Sequence, residues 1–407
     1  MGIFQESYRT SRNMAGEWLA YGEIALATAG LAPFAIHRLS CSSWMKQQLE
    51  CPETDSNLEI TILLPVWNEG LIIEKKLANL SKQNIKSRIL VIDSASTDDT
   101  VKKTKTWLED YPDAFIDSKV IVMEKRLGKT AAVKLALDEL ESHNGIILMT
   151  DADATIMENG LARVRRWFSN SVVGAVGGTP KRQGEMSQEL THRDMYTMIR
   201  TGESSYDSTP FLEGSLIAWR AGAVKSTELY AGANADDSQI ATAVRLKGLR
   251  SIQDPNLFFK DQMPTTKKGQ RRQKVRRAQG LIRLLSRNRR NWFSAKLGRF
   301  SKILRRNAWM HIGSPLAITG AAMLALLRNI TYFPDTNLMA VLSAIEIYCL
   351  VSWLLARTNR GIFGTKTAGT ILVGLENLVA AIIFSARGKS LHMWEQHTDV
   401  RSVLSKE

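Results

Sequence analysis

Acidic residues collect in this sequence where apolar runs stop. Residues 88–93, RILVID, close on Asp93 and are followed by Ser94-Ala95-Ser96-Thr97-Asp98-Asp99; residues 145–150, GIILMT, are followed at once by Asp151-Ala152-Asp153. Two carboxylates one residue apart on an extended turn can face one hard cation, and Mg2+ or Mn2+ held this way completes its shell with substrate phosphates. Acids are common in turns, so it is the place of this pair, directly behind an all-apolar run, that points to a divalent cation. A basic element precedes it in the chain: Arg126-Leu127-Gly128-Lys129-Thr130, at the head of a helical stretch. A glycine and a lysine at a helix start suit a phosphate. A Walker loop is excluded, because it requires a glycine five positions before Gly128 and Met123 stands there.

What must position these groups is a sheet. ITILLPV (60–66), RILVID (88–93), KVIVM (119–123), GIILMT (145–150) and VVGAVGG (172–178) are short Val-, Ile- and Leu-rich runs bounded by polar turns, the signature of buried strands. Helical patterns lie between them, for example at 71–82 and 130–141. This β-α-β alternation predicts an α/β fold with a doubly wound, mostly parallel sheet covered on both faces, and in such sheets ligands bind outside the carboxyl ends of the strands. Asp93, Asp151 and Asp153 are expected at that edge.

Apolar and basic segments surround this soluble middle. The 407 residues are too many for one ordinary core, and 44% hydrophobic with 23% charged residues excludes a disordered or collagen-like chain. The net charge of +14 is not spread evenly: sixteen Lys and Arg and no acid fall between Lys267 and Arg306, and setting them aside leaves −2. Residues 309–327, 338–356 and 367–386 each approach the ~20 apolar residues that cross a hydrocarbon core. The second and third carry one acid apiece, Glu346 and Glu376, and a fourth run, 18–37, contains Glu23 and Pro33. A carboxylate at mid-membrane costs ~2.5–3.5 kcal/mol on insertion scales, so these acids are expected to face other helices. Lys and Arg beside a span stay on the cytoplasmic side, which places Arg38 to Arg306 in the cytoplasm of a multi-pass cell-membrane protein.

The organisation expected is an N-terminal region 1–57 with a candidate transmembrane helix at 18–37, a cytoplasmic catalytic domain 58–265, basic amphipathic interfacial helices at 266–308, about three transmembrane helices within 309–386 and a polar tail 387–407. In the basic segment the cations interleave with Leu281, Leu285, Trp292, Phe293, Phe300 and Leu304, a pattern suited to anionic membrane lipid. Its direct attachment to a hydrophobic span favours lipid, and no nucleic-acid partner is expected. Cys41, Cys51 and Cys349 have no metal-ligand spacing and form no disulfide framework.

Six stretches follow one another through 60–280: Leu64-Pro65-Val66-Trp67-Asn68-Glu69, Val91-Ile92-Asp93-Ser94-Ala95-Ser96-Thr97-Asp98, Arg126 with Gly128 and Lys129, Asp151-Ala152-Asp153, Phe211-Leu212-Glu213-Gly214-Ser215, and Ala235-Asp236-Asp237-Ser238-Gln239-Ile240-Ala241. In this order they resemble the membrane-bound glycosyltransferases of family 2, whose catalytic domain has the GT-A nucleotide-sugar fold. The resemblance implies that Pro65, Asn68, Glu69, Asp93, Arg126, Lys129 and Asp151 bind the nucleotide sugar, and that Asp153 with Asp151 holds Mg2+ or Mn2+. It further implies that Glu213, Gly214, Gln273 and Arg276 lie on the acceptor or diphosphate side, and that Asp236 and Asp237 form the catalytic pair, Asp237 being the general base. Processive relatives carry Gln-x-x-Arg-Trp after a Pro-rich turn. Here Pro264-Thr265-Thr266 precedes Gln273-Lys274-Val275-Arg276-Arg277, and Arg277 in place of the Trp argues against long-polymer synthesis. Ser94 stands where many relatives have a second Asp, leaving Asp93 for the nucleoside.

The function implied is an inverting, metal-dependent transfer of a sugar from a nucleoside-diphosphate sugar to a lipid-linked or polysaccharide acceptor at the cytoplasmic face. The competing expectation is a catalytically degenerate GT-A membrane protein acting as a binding or scaffold subunit. Retention of Asp93, Asp151, Asp153 and Asp237 favours the enzyme.

Overall fold

The computed structural model describes residues 2–47, 49–181, 188–261, 266–332, 336–358, 360, 362, 364–391, 401 and 404. A long helix α1 (Gly2–Trp44) leads into alternating strands and helices: β1 (Ile60–Val66), α2 (Ile73–Ser81), β2 (Arg88–Asp93), α3 (Thr100–Asp110), β3 (Ser118–Val122), α4 (Lys129–Glu139), β4 (Ile146–Thr150) and the short β5 (Ala154–Ile156). Then come α5 (Gly160–Trp167), β6 (Val173–Pro180), α6 (Gln188–Tyr206), β7 (Leu216–Arg220), α7 (Asp236–Leu246) and β8 (Arg250–Asp261). Five further helices complete the chain: α8 (Lys267–Arg287), α9 (Arg299–Ala308), α10 (Ser314–Thr331), α11 (Asn337–Thr358) and α12 (Thr365–Ala386). Pro264 and Thr265 of the expected Pro-rich turn, and most of the polar tail, lie outside the described residues.

The strands form one sheet in the order β3-β2-β1-β4-β7-β6-β8-β5. β3, β2, β1 and β4 run parallel, as the apolar runs predict. The sheet as a whole is mixed, because β7 is inserted antiparallel between β4 and β6 and β5 pairs antiparallel with β8 at the edge. β8 escapes a reading for apolar runs because it carries Asp254, Pro255 and Lys260. Its buried Asp254 is satisfied by Arg163 Nε at 2.6 Å and Trp167 Nε1 at 2.6 Å.

Period-two alternation divides the core. Ile60, Ile62, Leu64 and Val66 of β1 face a cluster built with α2, α3 and α5, whereas Leu63 faces a second cluster with α4 and α7. Val66 lies opposite Asp93 in the β1–β2 register, so the carboxyl ends of these two strands are level and their loops open on the same edge.

Among the described residues, four helical stretches are long and apolar enough to cross a membrane: Met14–Gln47, Arg299–Thr331 (α9 running on into α10), Asn337–Thr358 and Thr365–Ala386. Glu23, Glu346 and Glu376 within them each have a partner. Glu23 Oε2 accepts from Arg328 Nε at 3.2 Å, and the fully buried Arg328 also pairs with Glu346. Glu376 accepts from Trp353 Nε1 at 3.0 Å and from Arg271 at 2.9 Å. The apolar faces of the basic helices are used inside the protein: Val275, Ala278 and Ile282 pack on α12, and Leu284 and Leu285 pack with Phe300, Leu304 and Phe211. Trp309 is half-exposed and Phe293 is 73% exposed.

One buried acid joins helices α1 and α9 to the sheet domain. Glu203 of α6 receives His37 Nε2 of α1 at 2.9 Å, Asn307 Nδ2 of α9 at 2.5 Å and Thr209 Oγ1 at 2.7 Å.

Candidate active site

The loop after β1 and the loop after β2 are bonded to each other. Asn68 Oδ1 accepts the Thr97 amide at 2.8 Å, the Asn68 amide donates to Ser96 Oγ at 2.8 Å, and the Glu69 amide donates to Thr100 Oγ1 at 2.7 Å. Asp93, almost fully buried, accepts from the Ser96 amide at 2.9 Å and from Ser96 Oγ at 2.5 Å. Pro65 lies within β1 opposite Ile92. Asn68 and Ala95 both hold positive φ, 55° and 58°, a backbone state that costs energy for a residue with a Cβ and persists where surrounding bonds over-determine it. The Arg126 guanidinium lies 3.3 Å above the Trp67 ring centroid, forming a stacked cation–π pair beside these loops.

The two carboxylates behind β4 diverge. Asp151 Oδ1 accepts from Lys129 Nζ at 2.7 Å, and the same ammonium lies 3.5 Å from Asp236 Oδ2. Lys129 is thus a bridge between the end of β4 and the start of α7. Burial works against its charge, but Asp151, Asp236 and Asp237 more than offset that, and its pKa lies above the ordinary lysine value. Asp153 turns instead to Arg401, whose Nη1 is 3.0 Å from Oδ2. Beneath both, the buried Lys76 of α2 donates to Thr150 Oγ1 at 2.8 Å and to the Ala154 carbonyl. Burial pushes its pKa down to about 7 against the pull of Asp151 and Asp153.

Asp236 and Asp237 open α7, and Ala235 before them is left-handed, with φ 64°. Asp237 Oδ1 accepts the Ser238 amide at 2.6 Å. Burial, and then Asp236, push the Asp237 carboxyl up to about 6, with Lys129 pulling the other way. Glu213 pairs with the half-buried Arg200 of α6. Gly214 lies tight against the acid: a Cβ there would meet Asp237 Oδ2 at 3.1 Å and Lys129 Nζ at 3.3 Å. Gly214→Ala is therefore expected to displace Asp237 and lower turnover on the order of 10–10²-fold, since sub-ångström to ångström misplacement of a reacting group has effects of this size. Steady-state rates, read beside an unchanged melting curve, check it.

Gln273 and Arg276 of α8 are half-buried. The Arg276 carbonyl accepts from Asn234 just ahead of the Asp236–Asp237 pair, and Gly280 packs on Asn234 and Ala235. Helix α8 therefore backs the loop that presents the two acids. Arg200, Lys76 and Arg401 belong to this constellation and none stands in a sequence pattern that marks it.

Among the described residues no cluster of three or more His, Cys, Asp and Glu forms a self-sufficient metal cage. The donors available, Asp151 and Asp153, are two hard carboxylates on an open edge. That set fits Mg2+ or Mn2+ completed by phosphate and water.

Residues 61–226, from β1 past β7, match the model of glycosyl transferase family 2. The chain carries a family 2 glycosyltransferase domain. The structure is similar to a mannosyltransferase of Pyrobaculum calidifontis solved with GDP-Man and Mn2+, with 26% identity, 91% of this chain and 100% of that chain covered, and a TM-score of 0.75. Weaker likenesses include a fragment of TarS from S. aureus (14% identity, 82% and 92% covered, TM-score 0.42) and glucosyl-3-phosphoglycerate synthase of Mycobacterium tuberculosis (20% identity, 57% and 78% covered, TM-score 0.40). No curated protein matches the sequence. The transferase therefore has the GT-A nucleotide-sugar fold, and its family match spans Asp93, Lys129, Asp151, Asp153 and Glu213 while ending ahead of Asp236.

Proposed function

We propose that this glycosyltransferase is an inverting, multi-pass membrane enzyme that moves a sugar from a nucleoside-diphosphate sugar to a lipid-linked or polysaccharide acceptor at the cytoplasmic face. The observation that carries the reading is Lys129, whose ammonium lies between Asp151 behind β4 and Asp236 at the head of α7. One cation thereby links the phosphate side of the site to the side where an acceptor would be deprotonated.

Asp93 and the Asn68–Glu69 loop form the nucleoside end, with Arg126 on Trp67 beside them. Asp151 and Asp153 would hold Mg2+ or Mn2+, which when bound supplies positive charge to the departing diphosphate. Lys129 and Arg276 add donors on that side, and Glu213, Gly214 and Gln273 border the acceptor. In the transfer, an acceptor oxygen bonds to the anomeric carbon as the bond from that carbon to the diphosphate breaks, the nucleoside diphosphate leaving with the electron pair. The acceptor proton passes to Asp237, and one displacement inverts the anomeric centre. A base held near 6 is ionised at neutral pH and still basic enough to accept that proton. With a hydroxyl acceptor, kcat/KM is expected to rise with unit slope below pH about 6 and level off above it, which a pH–rate profile reads directly.

Four apolar helices and a basic segment support membrane seating. The half-exposed Trp309, the exposed Phe293 and the cations around them would meet anionic headgroups. The neighbour solved with GDP-Man and Mn2+ makes GDP-mannose the first donor to try. Membranes containing the protein would be incubated with labelled nucleotide sugars and the product partitioned between organic and aqueous phases. Label in the organic phase identifies a lipid acceptor, and water-soluble product a glycan. Absence of transfer from every donor, by protein that still binds nucleotide, would leave the degenerate scaffold as the correct reading.

A further inference from the structure

We propose that Arg401 is a positioning residue of the cation and nucleotide-sugar site, an assignment that rests on the reading of Asp153 as a metal ligand. Its guanidinium is gripped from two directions. Glu69 takes Nε at 2.9 Å and Nη2 at 2.7 Å in a bidentate pair, and the remaining nitrogen, Nη1, lies 3.0 Å from Asp153 Oδ2. Arg401 is 2% exposed and Glu69 fully buried. Three residues on, the Leu404 carbonyl accepts from Lys75 Nζ of α2 at 3.0 Å, and Leu404 packs against the core cluster on the α2 face of the sheet.

Arg401 therefore reaches Asp153 from the α2 face, whereas Lys129 reaches Asp151 from α4, which packs in the cluster on the other face. Each carboxylate of Asp-Ala-Asp has its own cation, and the two cations stand on opposite sides. The consequence for Asp153 is orientation. With Oδ2 turned to Arg401, Oδ1 is the oxygen presented to an incoming ion. Groups that hydrogen-bond a metal ligand from behind set its direction, and their loss typically weakens metal binding 10- to 100-fold.

Two simpler roles make different predictions. A guanidinium standing in the cation's place would be a plug, but breaking a buried bidentate pair is strongly unfavourable, so the geometry has the cation entering with Arg401 still in place. A counter-ion for Glu69 alone would not require the third nitrogen on Asp153.

The test measures Mn2+ binding to the full-length protein in detergent, with GDP present, by the electron paramagnetic resonance signal of free Mn2+, beside melting curves. Asp153→Asn is expected to abolish tight binding. Arg401→Gln is expected to weaken it about 10- to 100-fold in protein that still melts cooperatively. Arg401→Lys, which keeps the charge without the fork, should fall between Arg401→Gln and wild type, and decides the matter if Arg401→Gln does not fold. Tighter Mn2+ binding in the Arg401 variants would establish the plug and overturn the proposal. A lower melting temperature with unchanged Mn2+ affinity would reduce Arg401 to the partner of Glu69 and overturn it as well. Equal binding by wild type and Asp153→Asn would instead remove the metal reading and this proposal with it, a failure distinguishable from one confined to Arg401.

Discussion

Asp237→Asn is expected to lower turnover about 10²–10⁴-fold, the usual contribution of a positioned acid–base group, while nucleotide binding stays nearly unchanged. The side chain keeps its shape, and its Oδ1 can still accept the Ser238 amide, so α7 should start as before. What is lost is the ability to receive a proton from the acceptor. Lys129 loses some of the negative charge around it, but its direct partners Asp151 and Asp236 remain. Titration of the nucleoside diphosphate beside single-turnover rates separates the two quantities. A parallel fall in both would show that Asp237 belongs to donor binding, and an acceptor that needs no deprotonation, such as a phosphate, would show a much smaller loss in rate.

Arg328→Met should be the most damaging change to stability, costing about 3–5 kcal/mol, as expected when one member of a buried ion network is removed and the others are left uncompensated. Arg328 of α10 is fully buried and serves both Glu23 of α1 and Glu346 of α11. Its loss strands Glu23 and leaves Glu346 with Asn329 alone among apolar helices. Thermal denaturation in detergent measures the cost, and adding Glu23→Gln and Glu346→Gln to the same chain should recover much of it. Failure of that rescue would mean that Arg328 acts through packing of its long side chain and not through its charge.

The parallel half of the sheet and the acids at its edge were legible because each is local. β1, β2 and β4 are uninterrupted apolar runs, and Asp93, Asp151 and Asp153 are the residues at which those runs end. Resemblance to a known family then extended the reading to Asp236 and Asp237, whose segment carries no such local mark. In the mixed half only β6 was legible: β7 and β8 owe their burial to partners far away in the chain, and Asp254 inside β8 looks like a turn residue until Arg163 and Trp167 are seen against it. Arg200, Lys76 and Arg401 were invisible for the same reason at longer range. Each is an ordinary cation in sequence, and only folding brings it to a carboxylate. The basic segment also meant more than its charge suggested, since several of its cations are used within the protein: Arg271 on Glu376, Arg283 on Ser390, and Arg306 on Ser40.

Glu203 sets the borders of any usable soluble fragment. Trimming the chain to 58–265 would delete His37 and Asn307, leaving a buried carboxylate with Thr209 alone of its three side-chain donors from α1, α9 and its own loop. The same cut would uncover Phe211, which Leu284, Leu285 and Phe300 now enclose, and the backbone of Gly202, which lies directly against Cys41 of α1. Because Arg200, the partner of Glu213, lies one turn from Glu203 on α6, the damage would reach Glu213 through that helix. Helices α1, α8 and α9 therefore belong to the smallest piece that can be expected to fold and turn over, and the protein has to be purified with them attached.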